Sequence, residues 1–566
     1  MNPSTRANRN RAAAARTRGK PEEMKETAKQ LVLGWKLDGN GDPEYWVSPN
    51  GHPKPGSQPE SALVTLPARV LGTNTIIVAQ SGSGKSSFLA RLIEELLLSS
   101  PAHCLIIDPN SDFRYFPEVG SASQWSGAKY NPKTHSGRLF TERSAAEFKR
   151  RWSKIGGQTT ILTGNVPEDI PSANSTMQAP PIHWRYVPPD FQLEGLDSVH
   201  RVEMRHCHTF FISLAEVCES GTILHTPGSE VEGSLDILGQ VEPIFSALAE
   251  ARDAGRLHGN EDVIRLMDNE LGQRMPLPGG HSYSEAKTLG RLTISSEEDG
   301  GRTIDYRQAH EEFHYRRIAR NLDKAAVAFG HFSNITGRHY FGVLQDLHAA
   351  GLLSDQLEDA EPRRIEILDL PSIDVRSNRY LLVASYLDRV IARVTRDWEN
   401  ARSATYLDPN SRPRRRPFFV VLDEAHNLIP GDDSAVDPSL RLVRDRIRVI
   451  AAEGRKLGLY LIVATQRPDK IDRFILSECQ NKAVLRLDNE AALELVARAL
   501  EMQDAEGTMR KRCLGSGYRV LLTGRWTEHK PVPMYPAPRR TMEGGGSLHE
   551  SDWAHESTGE AEDDSQ

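Results

Sequence analysis

The stretch that decides the fold is TIIVAQSGSGKSS, residues 75–87. Its first five residues are β-branched or apolar, as in a buried parallel strand, and a run with helical spacing begins at Lys85 and continues to about Leu98. A strand, a glycine-rich loop and a helix in this order suit phosphate binding, because the loop N–H groups and the helix N-terminus can surround a phosphate. The stretch therefore predicts a P-loop NTPase core of the α/β class.

The loop supplies the candidate nucleotide-binding residues, and two of them have specific roles. Lys85 would reach the β- and γ-phosphates of ATP, and the Ser86 hydroxyl would bind Mg²⁺. Ala79 stands where the motif G-x-x-x-x-G-K-S/T has its first glycine, so its methyl group either strains the turn or simply fits. The alternative interpretation is a Gly/Ser-rich turn with a chance lysine. The candidate ATP contacts are Gln80, Ser81, Gly82, Ser83, Gly84, Lys85, Ser86 and Ser87.

Two later strands end in polar residues that could complete the site. FFVVLDE (418–424) is an apolar strand followed by Asp423, which could bind Mg²⁺ through water, and Glu424, which could orient and deprotonate the attacking water. LIVATQRP (461–468) ends in Gln466, an amide that could sense the γ-phosphate and position water. The alternatives are solvated acids at a strand end, and a turn at which Pro468 stops the strand.

The rest of the chain alternates strand and helix patterns on either side of a helical middle, which predicts a mainly parallel sheet with a large, mostly helical insertion. The predicted segments are a disordered basic arm (1–30), a short β module and linker (31–61), the first half of a RecA-like ATPase core (62–190), the insertion (191–360), the second half of the core (361–535), and a C-terminal segment with an acidic tail (536–566).

Composition narrows the function classes. The chain of 566 residues has 38% hydrophobic and 26% charged residues, a net charge of −7 and five cysteines. No run of about 18 apolar residues occurs, so no membrane insertion is expected. The basic N-terminus has no apolar segment of a secretory signal, and the cysteines do not form a disulfide framework, so a cytoplasmic protein is expected. The negative net charge excludes a uniformly basic surface for nucleic acid, but not a local one.

Together these motifs resemble the HerA/FtsK superfamily of P-loop motor ATPases, and HerA-like proteins most closely. The similar elements are AQSGSGKSS, IIDPNSDF, VVLDEAHNLIP, EGRKLGLYLIVATQRPDKID and NKAVLRLDN. The resemblance implies a hexameric ring that hydrolyses ATP between subunits with Mg²⁺ and translocates double-stranded DNA through its channel.

The resemblance also implies roles for individual residues. Lys85, Glu424 and Gln466 would be catalytic, with Asp423 and Glu424 as the Walker B pair. Arg455, in EGRK (453–456), matches the family's candidate arginine finger acting on a neighbouring subunit, although a basic residue near a helix end is also ordinary capping. Asp108 and Asp112 would lie beside the site, with structural capping as an equal alternative.

Two weaker signals remain open. RPRRRP (412–417) could contact DNA phosphates, but a solvated loop is the more common outcome for such a run. His200, His206, Cys207, His208 and Cys218 are zinc-capable residue types, but they lack a zinc-site spacing and lie in a helical pattern.

Three functions compete. The first is an ATP-driven, ring-forming double-stranded DNA translocase or helicase, with a nuclease or an antiviral effector as its candidate partner. The second is a peripheral conjugation or secretion ATPase, whose core is very similar. The third is a nucleotide-sensing scaffold in an antiviral defence complex, bound to a separate effector.

Overall fold

The computed structural model describes residues 30–45, 59–120, 142–164, 175–178, 182–188, 198–225, 236–290, 295–296, 302–303, 306–354, 363–373, 375–407, 415–431, 438–502, 506–514 and 519–543. The strands in these ranges are β1 (Gln30–Lys36), β2 (Leu63–Pro67), β3 (Thr75–Val78), β4 (His103–Asp108), β5 (Thr159–Leu162), β6 (Ser175–Gln178), β7 (Ile182–His183), β8 (Ser295–Ser296), β9 (Arg302–Thr303), β10 (Leu353–Ser354), β11 (Ile365–Asp369), β12 (Phe418–Leu422), β13 (Leu459–Thr465), β14 (Asn481–Val484), β15 (Val520–Gly524) and β16 (Val532–Pro536). The α-helices are α1 (Pro59–Ala62), α2 (Lys85–Ser99), α3 (Glu142–Gly156), α4 (Ser198–His225), α5 (Ile237–Asp253), α6 (Asn260–Arg274), α7 (Ala286–Leu289), α8 (Tyr306–Phe329), α9 (Asn334–Ala349), α10 (Arg376–Leu407), α11 (Pro438–Leu457), α12 (Arg473–Glu478), α13 (Glu490–Ala499) and α14 (Glu506–Arg512).

One large sheet organises the described chain. Its strand order is β2-β1-β16-β15-β14-β3-β13-β12-β4-β11-β5-β6. The strands from β14 to β6 are mutually parallel, whereas β15, β16, β1 and β2 add antiparallel pairs at one side. The α/β class with a mainly parallel sheet is therefore confirmed. Because the parallel strands share a direction, their C-terminal ends form one side of the sheet, here called the carboxyl edge, and their starts form the amino edge.

Both faces of the parallel strands are buried, which explains their continuous apolar sequences. Successive residues alternate between two core clusters: Ile76 and Val78 of β3 belong to one, and Ile77 belongs to the other. Helix α2 packs on the Ile77 side, while α10, α11 and the helices of the insertion pack on the opposite side.

The middle of the chain is mostly helical, as the sequence predicted. Helices α4, α5 and α9 and the turn between α8 and α9 share an aromatic cluster, in which the rings of Phe210, Phe245, Phe332 and Phe341 pack at centroid distances of 4.7–6.4 Å. The boundaries 191–360 assigned to this insertion stay a prediction.

The antiparallel side of the sheet joins parts of the chain that are far apart in sequence. Strand β1 pairs with β16, and a side chain at Gly34 would overlap the carbonyl group of Tyr535, so close pairing requires glycine there. The segmentation of the sequence does not anticipate this pairing, and its segments 1–30 and 536–566 lie mostly outside the described residues. Among the described helices, none is long and apolar enough to cross a membrane.

Candidate functional site

The glycine-rich loop connects the end of β3 to the start of α2 at the carboxyl edge. Gly82 and Gly84 have φ angles of 70° and 87°, in the left-handed region that favours glycine, and Gly84 is the N-cap of α2. Ala79 has no such angle: it extends β3, its N–H donates to Thr465 O at 3.2 Å, and its methyl group is buried in the core. The alanine in place of the first glycine therefore fits without backbone strain.

Lys85 and the two acids at the end of β12 form a buried ion cluster. The Lys85 ammonium donates to Asp423 Oδ1 and lies 3.2 Å from Glu424 Oε1. Asp423 is fully buried, and Lys85 and Glu424 are each only 5% exposed. Glu424 has a φ of 41°, an uncommon conformation for a side-chain-bearing residue and one that often marks functional sites. The strand end and the P-loop, predicted separately, are thus brought together by β3 and β12, which flank β13.

Gln466 joins this cluster from the end of β13. Its side-chain amide donates to Glu424 Oε1. Glu424 Oε2 is buried, accepts no hydrogen bond within the described chain, and lies 3.4 Å from His426 Nδ1. Burial lowers the pKa of His426, although the charge of Glu424 opposes that shift. One carboxylate oxygen is therefore held by the amide, and the other is left available.

Asp112 and Asp108 reach the site from the loop after β4. The Ser86 hydroxyl donates to Asp112 Oδ2 at 2.8 Å. Asp108, fully buried, accepts from the backbone N–H groups of residues 110, 112 and 113 and so fixes the loop that carries Asp112. Burial, reinforced by the charges of Asp423 and Asp112, raises the pKa of Asp108 to about 7. Asp108 thus has the capping role, whereas Asp112 contacts a candidate site residue directly.

The residues present fit ATP with Mg²⁺. Asp423 Oδ2 is a buried carboxylate oxygen that accepts no hydrogen bond from any residue the structure describes, as expected for an atom awaiting a hydrated cation. Because Ser86 donates its proton to Asp112, its oxygen lone pairs stay free for a metal. A side chain built at Gly82 would meet nothing within 4 Å, so the loop offers open space for phosphate.

Arg455 is the one candidate that the structure does not bring to the site. It lies near the C-terminus of α11, at the amino edge, and its side chain is exposed. Strand β13 separates it from Gln466, and seven residues at about 3.3 Å each span roughly 20 Å. Arg455 therefore lies far from the nucleotide site of its own chain.

Sequence reasoning missed Arg486, which follows β14 beside the P-loop. Its carbonyl accepts from Gln80 N–H at 3.4 Å, its Nε lies 3.3 Å from Asp488 Oδ1, and Asp488 N–H donates to Gln80 Oε1 at 2.5 Å. The signal was present in NKAVLRLDN, where Arg486 follows an apolar strand.

The zinc-capable residues are dispersed within the helical insertion. Cys207 and Cys218 are buried, the His206 ring stacks on His331, and His208 Nδ1 lies 3.0 Å from the Tyr340 hydroxyl. In the described ranges, no three His, Cys, Asp or Glu side chains form a group that could hold a metal ion. Of the basic run 412–417, residues 412–414 lie outside these ranges.

The sheet topology, the glycine-rich loop and the carboxylates opposite Lys85 define a P-loop ATPase. The family model for the central domain of helicase HerA matches residues 58–139. The curated DNA double-strand break repair helicase HerA of Sulfolobus acidocaldarius is 29% identical over 293 residues, covering 48% of this chain and 50% of that protein. The HerA of Pyrococcus furiosus is 26% identical over 188 residues, covering 29% and 31%.

Residues 58–139 are thus similar to the central domain of HerA helicases, and the chain spans half or less of the length of these two relatives. Among solved structures, the plasmid coupling protein TrwB bound to a GTP analogue aligns over 91% of this chain and 89% of its own, with 11% identity and a TM-score of 0.36.

Proposed function

We propose that this chain hydrolyses ATP with Mg²⁺ between neighbouring copies in a ring and uses the energy to move along double-stranded DNA. The observation that carries the proposal is the convergence of Lys85, Glu424 and Gln466 at the carboxyl edge while Arg455 lies at the amino edge.

The ion cluster suggests how binding prepares hydrolysis. Bound ATP with Mg²⁺ supplies the phosphoryl group and the charge of the metal. Lys85 would exchange the carboxylates for the β- and γ-phosphates, and Ser86 and Asp423 are the residues that would hold the metal. Once Lys85 turns to the phosphates, Glu424 Oε1 would no longer be held by the ammonium group that now lies 3.2 Å away.

Glu424 and Gln466 divide the handling of the attacking water. The Gln466 amide fixes Glu424 Oε1, so the carboxylate keeps one orientation. Glu424 Oε2, which is buried and accepts no hydrogen bond in the described chain, is the atom that would take the proton from the water.

The position of Arg455 supports an assembly. About 20 Å of strand separates it from the Gln466 end of its own sheet, so it could compensate charge only on a nucleotide held by another copy. A head-to-tail contact of this kind generates rings when the rotation closes. A hexamer is proposed because of the similarity to HerA helicases.

Double-stranded DNA is proposed as the substrate because two relatives bear the name of a DNA double-strand break repair helicase. A nuclease or antiviral effector remains a proposed protein partner. A cytoplasmic location is proposed because all five cysteines are free and buried.

The test is the steady-state ATPase rate with and without linear duplex DNA. Glu424→Gln serves as the blank for contaminating activity, because it keeps the shape of the side chain and removes the base. Stimulation of several-fold by duplex supports the translocase. An ATPase rate that duplex DNA does not change contradicts movement along DNA and favours a secretion ATPase or a scaffold. A wild-type rate equal to that of Glu424→Gln contradicts ATP hydrolysis itself.

A further inference from the structure

The amino edge of the sheet carries a concentration of positive charge. It comes from the residues that precede β11 and β12 and from the C-terminal halves of α10 and α11, which both end at this edge. Six of these residues, all exposed or half-exposed, form what we call the basic edge: Arg363, Arg393, Arg396, Arg402, Arg416 and Lys456.

His103, at the start of β4, shows that these charges are close together. Arg416 Nη1 lies 3.4 Å from His103 Nε2, and the carbonyl of Arg363 lies 3.1 Å from His103 Nδ1. Burial lowers the pKa of His103, and the charges of Arg393, Arg416 and Arg364 lower it further. Three guanidinium groups from α10 and from two strand starts therefore act on one imidazole.

Trp398 links the two helices of the basic edge. Lys456 Nζ of α11 lies 4.7 Å from the centre of its indole ring, and the Arg402 guanidinium of α10 lies 5.5 Å from it. These cation–π contacts hold the two side chains at the surface without neutralising their charge.

Other basic residues of this region have structural partners and are not counted in the basic edge. Arg364 donates to the carbonyls of Leu97 and Ser100 at the end of α2, at 2.8 and 2.7 Å. Arg389 forms an ion pair of 2.8 Å with Glu366.

The six residues of the basic edge differ from these. No carboxylate of the described chain lies within 4.0 Å of their charged groups, although the charges of Asp397 and Glu366 act on Arg393. An excess of positive charge therefore remains at this edge of a chain whose net charge is −7.

We propose that the basic edge binds the phosphate backbone of nucleic acid. This proposal rests on the proposed function, because it takes DNA as the partner. It adds the place of contact, which is the edge of the sheet opposite the nucleotide site of the same chain. A row of arginines across four elements suits a repeating polyanion, because guanidinium groups form paired hydrogen bonds to phosphate.

The test compares two triple variants with the same loss of charge. Arg393→Gln/Arg396→Gln/Arg416→Gln removes the centre of the basic edge, and Arg256→Gln/Arg265→Gln/Arg320→Gln removes three exposed arginines of the insertion. Binding of a fluorescent 30-base-pair duplex is measured by anisotropy across a salt series. Each lost phosphate contact lowers the slope of log affinity against log salt by about 0.9, so the first variant should lose roughly two to three in slope and at least about ten-fold in affinity at ~0.1 M salt.

The proposal is overturned if the two variants bind the duplex alike. A second set, Arg363→Gln/Arg402→Gln/Lys456→Gln, uses other members of the basic edge and decides the question if the first does not fold. If the basic-edge variants lose nucleotide-dependent assembly in mass photometry but keep DNA binding, the edge is a contact between copies. Loss of binding to phosphatidylserine vesicles with unchanged DNA binding would instead assign it to a membrane surface.

These outcomes are separable from failure of the proposed function. A wild-type chain that binds duplex but hydrolyses no ATP contradicts the motor and leaves the basic edge in place. A wild-type chain that hydrolyses ATP but binds no duplex contradicts the basic edge and leaves the ATPase in place.

Discussion

The contact between the C-terminal segment and α2 predicts that Arg540→Ala destabilises the fold strongly. Glu94 of α2 is fully buried and accepts from Arg540 N–H at 2.8 Å, from Arg540 Nε at 3.0 Å, and from Thr541 N–H at 2.8 Å. Arg540 Nη2 also donates to Glu95 at 2.6 Å. Burial by itself would raise the pKa of Glu95, but the charges of Arg91 and Arg540 outweigh it and lower that pKa.

The expected loss of unfolding free energy for Arg540→Ala depends on the charges and donors that remain near Glu94 and Glu95. Removing one partner of a buried ion pair typically costs about 3–5 kcal/mol, because the other charge stays buried. Here Arg91 Nη2 remains 3.0 Å from Glu95, and the backbone donors to Glu94 remain. We therefore expect the low end, about 3 kcal/mol. Arg540→Lys keeps the charge but cannot serve both carboxylates, so it should cost roughly half as much.

Urea unfolding followed by tryptophan fluorescence measures the free energy of unfolding of each variant. A lower urea concentration at the midpoint, with an unchanged dependence of that free energy on urea, gives the loss of stability. The matched control is Arg510→Ala, which removes an arginine that bridges Glu490 and Glu506 at the surface. Exposed ion pairs contribute little, so this control should behave like the wild type. Equal effects of Arg540→Ala and Arg510→Ala would refute the reasoning.

Three further predictions concern the site and the insertion. Arg455→Ala should keep nucleotide binding and assembly but lose turnover by about a hundred-fold or more, and full turnover in an intact ring would exclude a role in trans. Asp112→Ala should raise the Mg²⁺ concentration needed for the nucleotide-induced shift in melting temperature, with Asp112→Asn less affected because its amide oxygen can still accept from Ser86; an unchanged Mg²⁺ requirement would contradict that contact. Burial, aided by His310 and Arg317, lowers the pKa of His314 from 6.5 to about 4, so the unfolded chain takes up the proton first and stability is lost as the pH falls from 6.5 towards 4. The melting temperature of His314→Gln should depend less on pH in that range, and parallel pH curves would show that His314 is not responsible.

The parallel strands could be predicted because their sequences indicate both that the strands are buried and where each strand ends. TIIVA, FFVVL and LYLIVAT are apolar on both faces, and each is followed at once by the polar residues of the site. Parallel strands place these polar ends on one edge, so Lys85, Asp423 and Gln466 could be grouped before any coordinates were known.

The pairing of β1 with β16 on the antiparallel side could not be predicted, because it joins residues about five hundred positions apart. Gly34 packs closely against the backbone of Tyr535, and such a contact leaves no periodic signal in the sequence. Nothing in the sequence distinguishes Arg540 from an exposed arginine; only the structure shows that it contacts the buried Glu94. The loop after β4 was the intermediate case: the sequence marks Asp108 and Asp112 as acids after a strand, but only the hydrogen bonds separate capping from contact with Ser86.

The ion cluster at the carboxyl edge and the exposed Arg455 at the amino edge carry charges of opposite sign. At the carboxyl edge, Lys85 faces three carboxylates, those of Asp423, Glu424 and Asp112, so the site has an excess of negative charge when no divalent cation is bound. A triphosphate without Mg²⁺ would meet this negative field with Lys85 already engaged, whereas the metal offers the carboxylates a replacement for the lysine. Arg455, exposed at the amino edge and not a member of the basic edge, carries the opposite charge. A head-to-tail contact through Arg455 would therefore bring a cation to an acidic, nucleotide-bearing surface, and this complementarity would favour that contact over a symmetric pairing of like edges.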